Sequence, residues 1–170
     1  MTPWARTYPA ILPLEAGCVA ILGNFDGVHA GHKALIAAAQ AEGTRLKLPV
    51  VALTFWPHPR TVLAPEKPLP LLQTLEERIA CLHAAGLDGV AILPFNTARM
   101  GQSTEDFAHD ILQNWLHAKA IWVGENFKFG HRAQGTPALL NALGISCSTL
   151  PLVADELGPV SSSRLRVKSL

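Results

Sequence analysis

The chain has 170 residues, enough for one domain to bury a full core. Its 49% apolar and 16% charged residues exclude a disordered polar chain, and a formal net charge of +1 gives no broad attraction for nucleic acid or an anionic membrane. Any anion must therefore be gripped locally. Cys18, Cys81 and Cys147 are odd in number, far apart and in no CxxC pair, which suggests neither a disulfide framework nor a zinc cluster. No segment reaches the roughly eighteen apolar residues of a membrane span, and the first residues lack the pattern of a secretory leader, so the sequence reads as soluble and cytosolic.

In chain order, the first apolar run is CVAIL (18–22), followed by GNFDGVHAGH (23–32). The glycines Gly23, Gly27 and Gly31 suit a sharp turn that brings backbone close to a ligand. A helix starting near Gly31 would carry Leu35, Ile36 and Ala39 inward. PVVALTF (49–55) is a second strand, and it runs into TFWPHPRTVLAP (54–65). Thr74-Leu75-Glu76-Glu77 forms a capping box ahead of Ile79, Leu82 and His83. GVAILPF (89–95) is a third strand, and Ser103 can cap a helix carrying Phe107, Ile111 and Leu112. AIWVG (120–124) is a fourth strand; Thr136-Pro137 then opens a short helix through Leu139, Leu140 and Leu143. STLPLV (148–153) is a fifth strand, and SSSRLRVK (161–168) lies near the C-terminus.

The strands are apolar on both faces, as buried parallel strands are. Their alternation with helices predicts an α/β, three-layer, Rossmann-like domain around a parallel sheet of about five strands, as a single domain over residues 1–170. Such sheets bind ligands beyond the carboxyl ends of their strands, which directs attention to segments 23–32, 56–65, 94–102, 124–136 and 154–164.

In the first of these, His29 and His32 flank the positive end of a helix whose first N–H groups are free for an anion. An imidazole there donates to phosphate without placing a permanent charge in the site. The same pair could be half of a zinc site or incidental residues of a surface turn. Zinc would need a further ligand, and no cysteine or carboxylate stands at a suggestive spacing. Near the C-terminus, a helix beginning near Ser162 would converge hydroxyls and N–H groups, with Arg164 as a charged clamp. A basic polar tail is the alternative. In the loop after the second strand, Pro57 and Pro59 hold His58 between them, and Trp56 suits a flat aromatic ligand; prolines that simply end the strand would look the same. In VGENFKFGHRAQGTP (123–137), the glycines and Asn126 could shape a base- or ring-binding pocket, or the stretch could be a hairpin-like loop with Phe127 and Phe129 in the core.

Together GNFDGVHAGH (23–32), TFWPHP (54–59), VGENFKFG (123–130) and SSSRLR (161–166) resemble the adenylyltransferase module of prokaryotic FAD synthetases, the bifunctional riboflavin kinase/FMN adenylyltransferases of the nucleotidylyltransferase superfamily. LLQTLEERIACL (71–82) and FNTARMGQSTEDF (95–107) fit the intervening pattern. The resemblance implies an enzyme that transfers AMP from ATP to the phosphate of FMN, giving FAD and pyrophosphate with Mg²⁺. It implies His29, His32 and Arg164 as catalytic groups, and Gly23, Phe25, Asp26, Gly31, Ser162, Ser163 and Arg166 as the ATP site. Pro57, His58, Pro59 and Asn126 would border the flavin. Mg²⁺ is expected mainly on phosphate oxygens, with Asp26 the nearest carboxylate. The implied partners are the small molecules FMN and ATP, with no nucleic acid and no membrane.

The FMN phosphate is already a nucleophile, so such a reaction needs alignment and charge stabilisation rather than a Ser-His-Asp relay. Some positions depart from the family. Trp56 stands where an acidic residue is usual, Arg99 replaces an aromatic, and Ala133 and Thr136 replace an arginine and an aspartate, with Arg132 shifted by one. The chain also stops just after SSSRLR, where the family continues into its riboflavin kinase domain. These departures keep two alternatives in view. One is a flavin- or nucleotide-binding module without turnover. The other is a nucleotidylyltransferase for another phosphorylated acceptor, such as pantetheine phosphate or nicotinate mononucleotide, against which the PHP loop and VGENFKFG argue.

Overall fold

Apolar β-branched runs without polar interruption become central strands here because both of their faces can be covered. The computed structural model describes residues 2–25, 30–57, 73–125, 127, 129, 135–151, 154–155 and 158–159. Among them, one sheet comprises β1 (Trp4–Thr7), β2 (Cys18–Leu22), β3 (Val50–Trp56), β4 (Gly89–Pro94), β5 (Ala118–Gly124) and β6 (Cys147–Leu150). Its order is β1-β4-β3-β2-β5-β6, and every pairing in it is parallel. The helices are α1 (Ala30–Leu46), α2 (Leu75–Ala84), α3 (Thr97–Met100), α4 (Thr104–Phe107) and α5 (Pro137–Ala142), with α4 passing directly into a π-helical stretch, Ala108–Trp115. A short antiparallel pair, β7 (Ala154–Asp155) and β8 (Gly158–Pro159), stands apart from the sheet.

The expected three layers are present. Leu35, Ile36 and Ala39 of α1 and Leu82 of α2 cover one face, meeting Val19, Ile21, Ala52 and Val90. Phe107, Ile111 and Leu112, with Leu140 of α5, cover the other, against Ala20, Leu53 and Leu93. The local start signals act as the sequence predicts. Thr74 Oγ1 accepts from Glu77 N while Glu77 Oε1 accepts from Thr74 N, each at 3.1 Å. Ser103 Oγ accepts from Asp106 N at 3.1 Å, and Thr136 Oγ1 from Leu139 N at 3.3 Å, with Pro137 following as the first helical residue.

Two expectations about strands need correction. The sheet has six strands rather than about five, because Trp4–Thr7 pairs with β4. This edge strand is mostly exposed and has no apolar run; it is held by Trp4, whose indole occupies the space a Cβ on Gly89 would fill, and by His83 Nε2 bonded to Trp4 O at 2.9 Å. At the other edge β6 ends at Leu150, short of the expected 148–153, since Pro151 has no N–H to continue a ladder.

Burial also sorts the thiols. Cys18 and Cys147 are buried and Cys81 is exposed. Loss of hydration pushes the Cys18 thiol from the ordinary 9.0 up to about 12, and that of Cys147 up to about 11. At neutral pH a thiol-labelling reagent should therefore modify Cys81 quickly and the other two only after denaturation; rapid labelling of all three in the folded chain would contradict this burial. Both folded values lie above the unfolded one, so this contribution to stability is complete below pH 9.0 and is lost as pH rises towards 11 and 12. Thermal melts across that range should show the decline.

Candidate functional site

Strand order reverses at β2. The chain steps from β2 through β3 to β4 on one side, then returns to place β5 on the other side of β2. The crevice of such a sheet opens at the carboxyl ends of β2 and β5. The glycine-histidine stretch leaves β2 at that point, and α1 begins beyond it at Ala30, with Gly31 in its first turn. The positive end of the α1 helix thus follows β2 at the switch point.

Three residues shape the described part of this turn. Phe25 takes the left-handed conformation, φ 53°, with its ring buried to 2% exposure. The expected glycine freedom at Gly23 is not what the turn uses there. A Cβ on Gly23 would lie 3.1 Å from the Phe25 ring, so this glycine makes room for the phenyl instead. The ring meets the His32 imidazole edge-on, with centroids 5.0 Å apart and planes at 71°. Phe25 thus packs its ring against His32 while its backbone takes the left-handed conformation.

The end of β3 is tied to this turn. Thr54 Oγ1 donates to Asn24 O at 2.9 Å, and Arg78 of α2 donates from Nη1 to Thr54 Oγ1 at 2.9 Å and to Phe55 O at 3.1 Å. Arg78 is fully buried, and its Cζ lies 5.4 Å from the centre of the Trp56 ring. That contact occupies one face of Trp56, the residue expected to receive a flat ligand. Pro57 follows, exposed, after a cis Trp56–Pro57 peptide. Beyond β4, Arg99 stacks on Tyr8, its Cζ 5.3 Å from the ring centre, and Nη1 donates to Gln102 Oε1 at 2.6 Å.

After β5, Phe127 and Phe129 are stacked with centroids 6.1 Å apart, and Phe129 is buried against Phe107. Phe129 and Gly135 exchange two backbone hydrogen bonds, and a Cβ on Gly135 would lie 2.7 Å from the Phe129 ring. Of the two expectations for this stretch, these two phenylalanines follow the core-packing one.

Of the residues that the sequence assigns to catalysis or to substrate binding, the structure describes Gly23, Phe25, Gly31, His32 and Pro57, which follow the carboxyl ends of β2 and β3. Asp26, His29, His58, Pro59, Asn126, Ser162, Ser163, Arg164 and Arg166 lie outside the described residues, as do Arg132 and Ala133. Sequence reasoning missed Arg78 and Thr54. A signal was available, since Arg78 interrupts the apolar stripe of Leu75, Ile79 and Leu82 at helical spacing. Among the described residues no cluster of three histidine, cysteine or carboxylate side chains is placed to hold a metal, and no helix is long and apolar enough to cross a membrane.

The sheet order and the helices on its two faces define a doubly wound α/β fold with a parallel sheet. It superposes on a pantoate-beta-alanine ligase from Francisella tularensis with a TM-score of 0.56 at 16% identity, covering 92% of this chain and 67% of that one, a likeness of fold alone. A Streptococcus pneumoniae structure named a macrolide-efflux protein superposes with a TM-score of 0.83 at 26% identity, covering 96% of this chain and 55% of that one. The family model described as FAD synthetase matches residues 12–164, and the chain belongs to that family. It is 36% identical over 131 residues to the bifunctional riboflavin kinase/FMN adenylyltransferase of Escherichia coli K12, covering 77% of this chain and 42% of that protein. The protein of the same name from Pseudomonas fluorescens is 34% identical over 134 residues, covering 79% and 43%. The chain thus spans about two fifths of the length of these relatives.

Proposed function

We propose that residues 1–170 act as one FMN adenylyltransferase domain in the cytoplasm, with ATP and FMN as substrates. The observation that carries this reading is His32 at the start of α1, held edge-on by Phe25 at the switch point of the sheet, in a chain of the FAD synthetase family. An oxygen of the FMN phosphate attacks the α-phosphorus of ATP, the bond to the bridging oxygen breaks, and pyrophosphate leaves. Negative charge grows on the α-phosphoryl oxygens and on the departing group. His32, His29 and the α1 N-terminus offset that charge by donation, with Arg164 as the fixed cation. Gly23, Phe25, Asp26 and Gly31 cradle the triphosphate from the turn, and Ser162, Ser163 and Arg166 hold it from the C-terminal side. Pro57, His58, Pro59 and Asn126 border the flavin.

The donor set fits a hard cation carried in on the nucleotide. Asn24 Oδ1 is buried without a hydrogen-bond partner among the described residues, and Asp26 follows two positions on. These two would hold Mg²⁺, whose charge would neutralise phosphate oxygens.

Incubation of the chain with FMN, ATP and Mg²⁺ should give FAD and pyrophosphate in equal amounts, read by chromatography. Riboflavin should not be phosphorylated by these residues. No FAD above background at saturating FMN would overturn the proposal, and turnover of another phosphorylated acceptor in its place would redirect it.

A further inference from the structure

Arg78 occupies a place in the apolar stripe of α2 that packing alone would fill with hydrocarbon, and it is completely buried there. Its guanidinium touches three consecutive residues at the carboxyl end of β3: the Thr54 hydroxyl, the Phe55 carbonyl and the Trp56 ring. Guanidinium has donors only, so Thr54 Oγ1 must accept from it. The single hydroxyl proton of Thr54 is then committed to Asn24 O, 2.9 Å away. Asn24 is bonded to Phe25, whose ring packs on His32. A directional chain of contacts thus runs from a buried cation on one helix to the imidazole at the start of another.

We infer that Arg78 is a positioning residue: acting through Thr54, Asn24 and Phe25, it fixes where His32 stands. Its consequence for rate rests on the adenylyl-transfer reading above; its consequence for His32 does not. Because Arg78 and Thr54 act in series, removal of either should do much the same damage, and removal of both should do little more.

The test compares the parent chain with R78K, R78M, T54S, T54V and R78M/T54V, measuring kcat, KM for each substrate, thermal stability and the His32 Hε1 resonance. The signal is assigned by its disappearance in H32Q. In T54V and R78M, kcat should fall about tenfold or more with KM for FMN changed less than about twofold, and the double variant should be no slower than the worse single one. T54S keeps the relay and should stay near the parent, and R78K should lie between the parent and R78M. The His32 signal should move in T54V and R78M while that of exposed His109 stays in place. A folded T54V with parental kcat and an unmoved His32 resonance would overturn the inference, as would lower thermal stability with unchanged kcat per active site. Should R78M not fold, T54V against T54S decides. Should the parent make no FAD, the function proposed above fails, and the His32 resonance alone decides the positioning role.

Discussion

His32→Ala should lower the turnover of FAD formation about 100-fold, with the unfolding midpoint little changed. The imidazole is half-buried at the first turn of α1, and its described ring contact is an edge-on approach to Phe25, worth about 1 kcal/mol. Losing that contact is a small fraction of the stability of a domain this size. On the proposed reaction, the imidazole also donates to phosphoryl oxygens on which negative charge grows, and losing such a preorganised donor is not small. Chromatography of FAD over time, with a urea melt of the same preparation, separates the two effects. His32→Gln retains an N–H donor and should fall between alanine and the parent. If activity in His32→Ala falls only as far as the folded fraction does, the imidazole is a packing group of the turn and has no place in the chemistry.

Phe25→Ala should be the more damaging change to the fold, destabilising the chain by about 3 kcal/mol or more. The ring is buried at 2% exposure and fills the space left by Gly23, so its removal opens a cavity under the turn. The backbone adds a second expectation with an unusual sign. At φ 53° an alanine is strained and a glycine is not. Phe25→Gly should therefore be about 1 kcal/mol more stable than Phe25→Ala, the reverse of the order found in helices and strands. Equilibrium urea unfolding of the two variants gives both the size and the order. Alanine being as stable as glycine would show that the left-handed turn is not retained. Turnover should fall in both, since His32 loses the ring that orients it.

These expectations separate what neighbouring residues dictate from what distant ones do. The caps at Thr74, Ser103 and Thr136 act within three residues of themselves, so a capping side chain and the helix it starts were readable together. The apolar runs of β2, β3, β4 and β5 were equally plain, because a strand covered on both faces admits almost nothing else. The sequence also pointed to the carboxyl end of the sheet as the place to look for a site, because parallel strands put their ligand-binding segments there, and the described Gly23, Phe25 and His32 stand at that end. β1 was not legible. Its four residues carry no apolar pattern, and what holds it comes from far along the chain: pairing with β4, room for Trp4 over Gly89, and the His83 bond to Trp4 O.

By itself, the sequence determined the layered α/β class, the capped helix starts at Thr74, Ser103 and Thr136, and a family resemblance that the match over residues 12–164 bears out. The tertiary structure decided how the described part of the turn is held: Phe25 takes a left-handed conformation, and a buried arginine is tied through Thr54 to Asn24 beside it. The difference is one of range. Propensity, capping and strand burial are set by a residue and its near neighbours, whereas a cation's burial and the partners of a hydroxyl depend on which segments the fold brings together, and no local pattern encodes that.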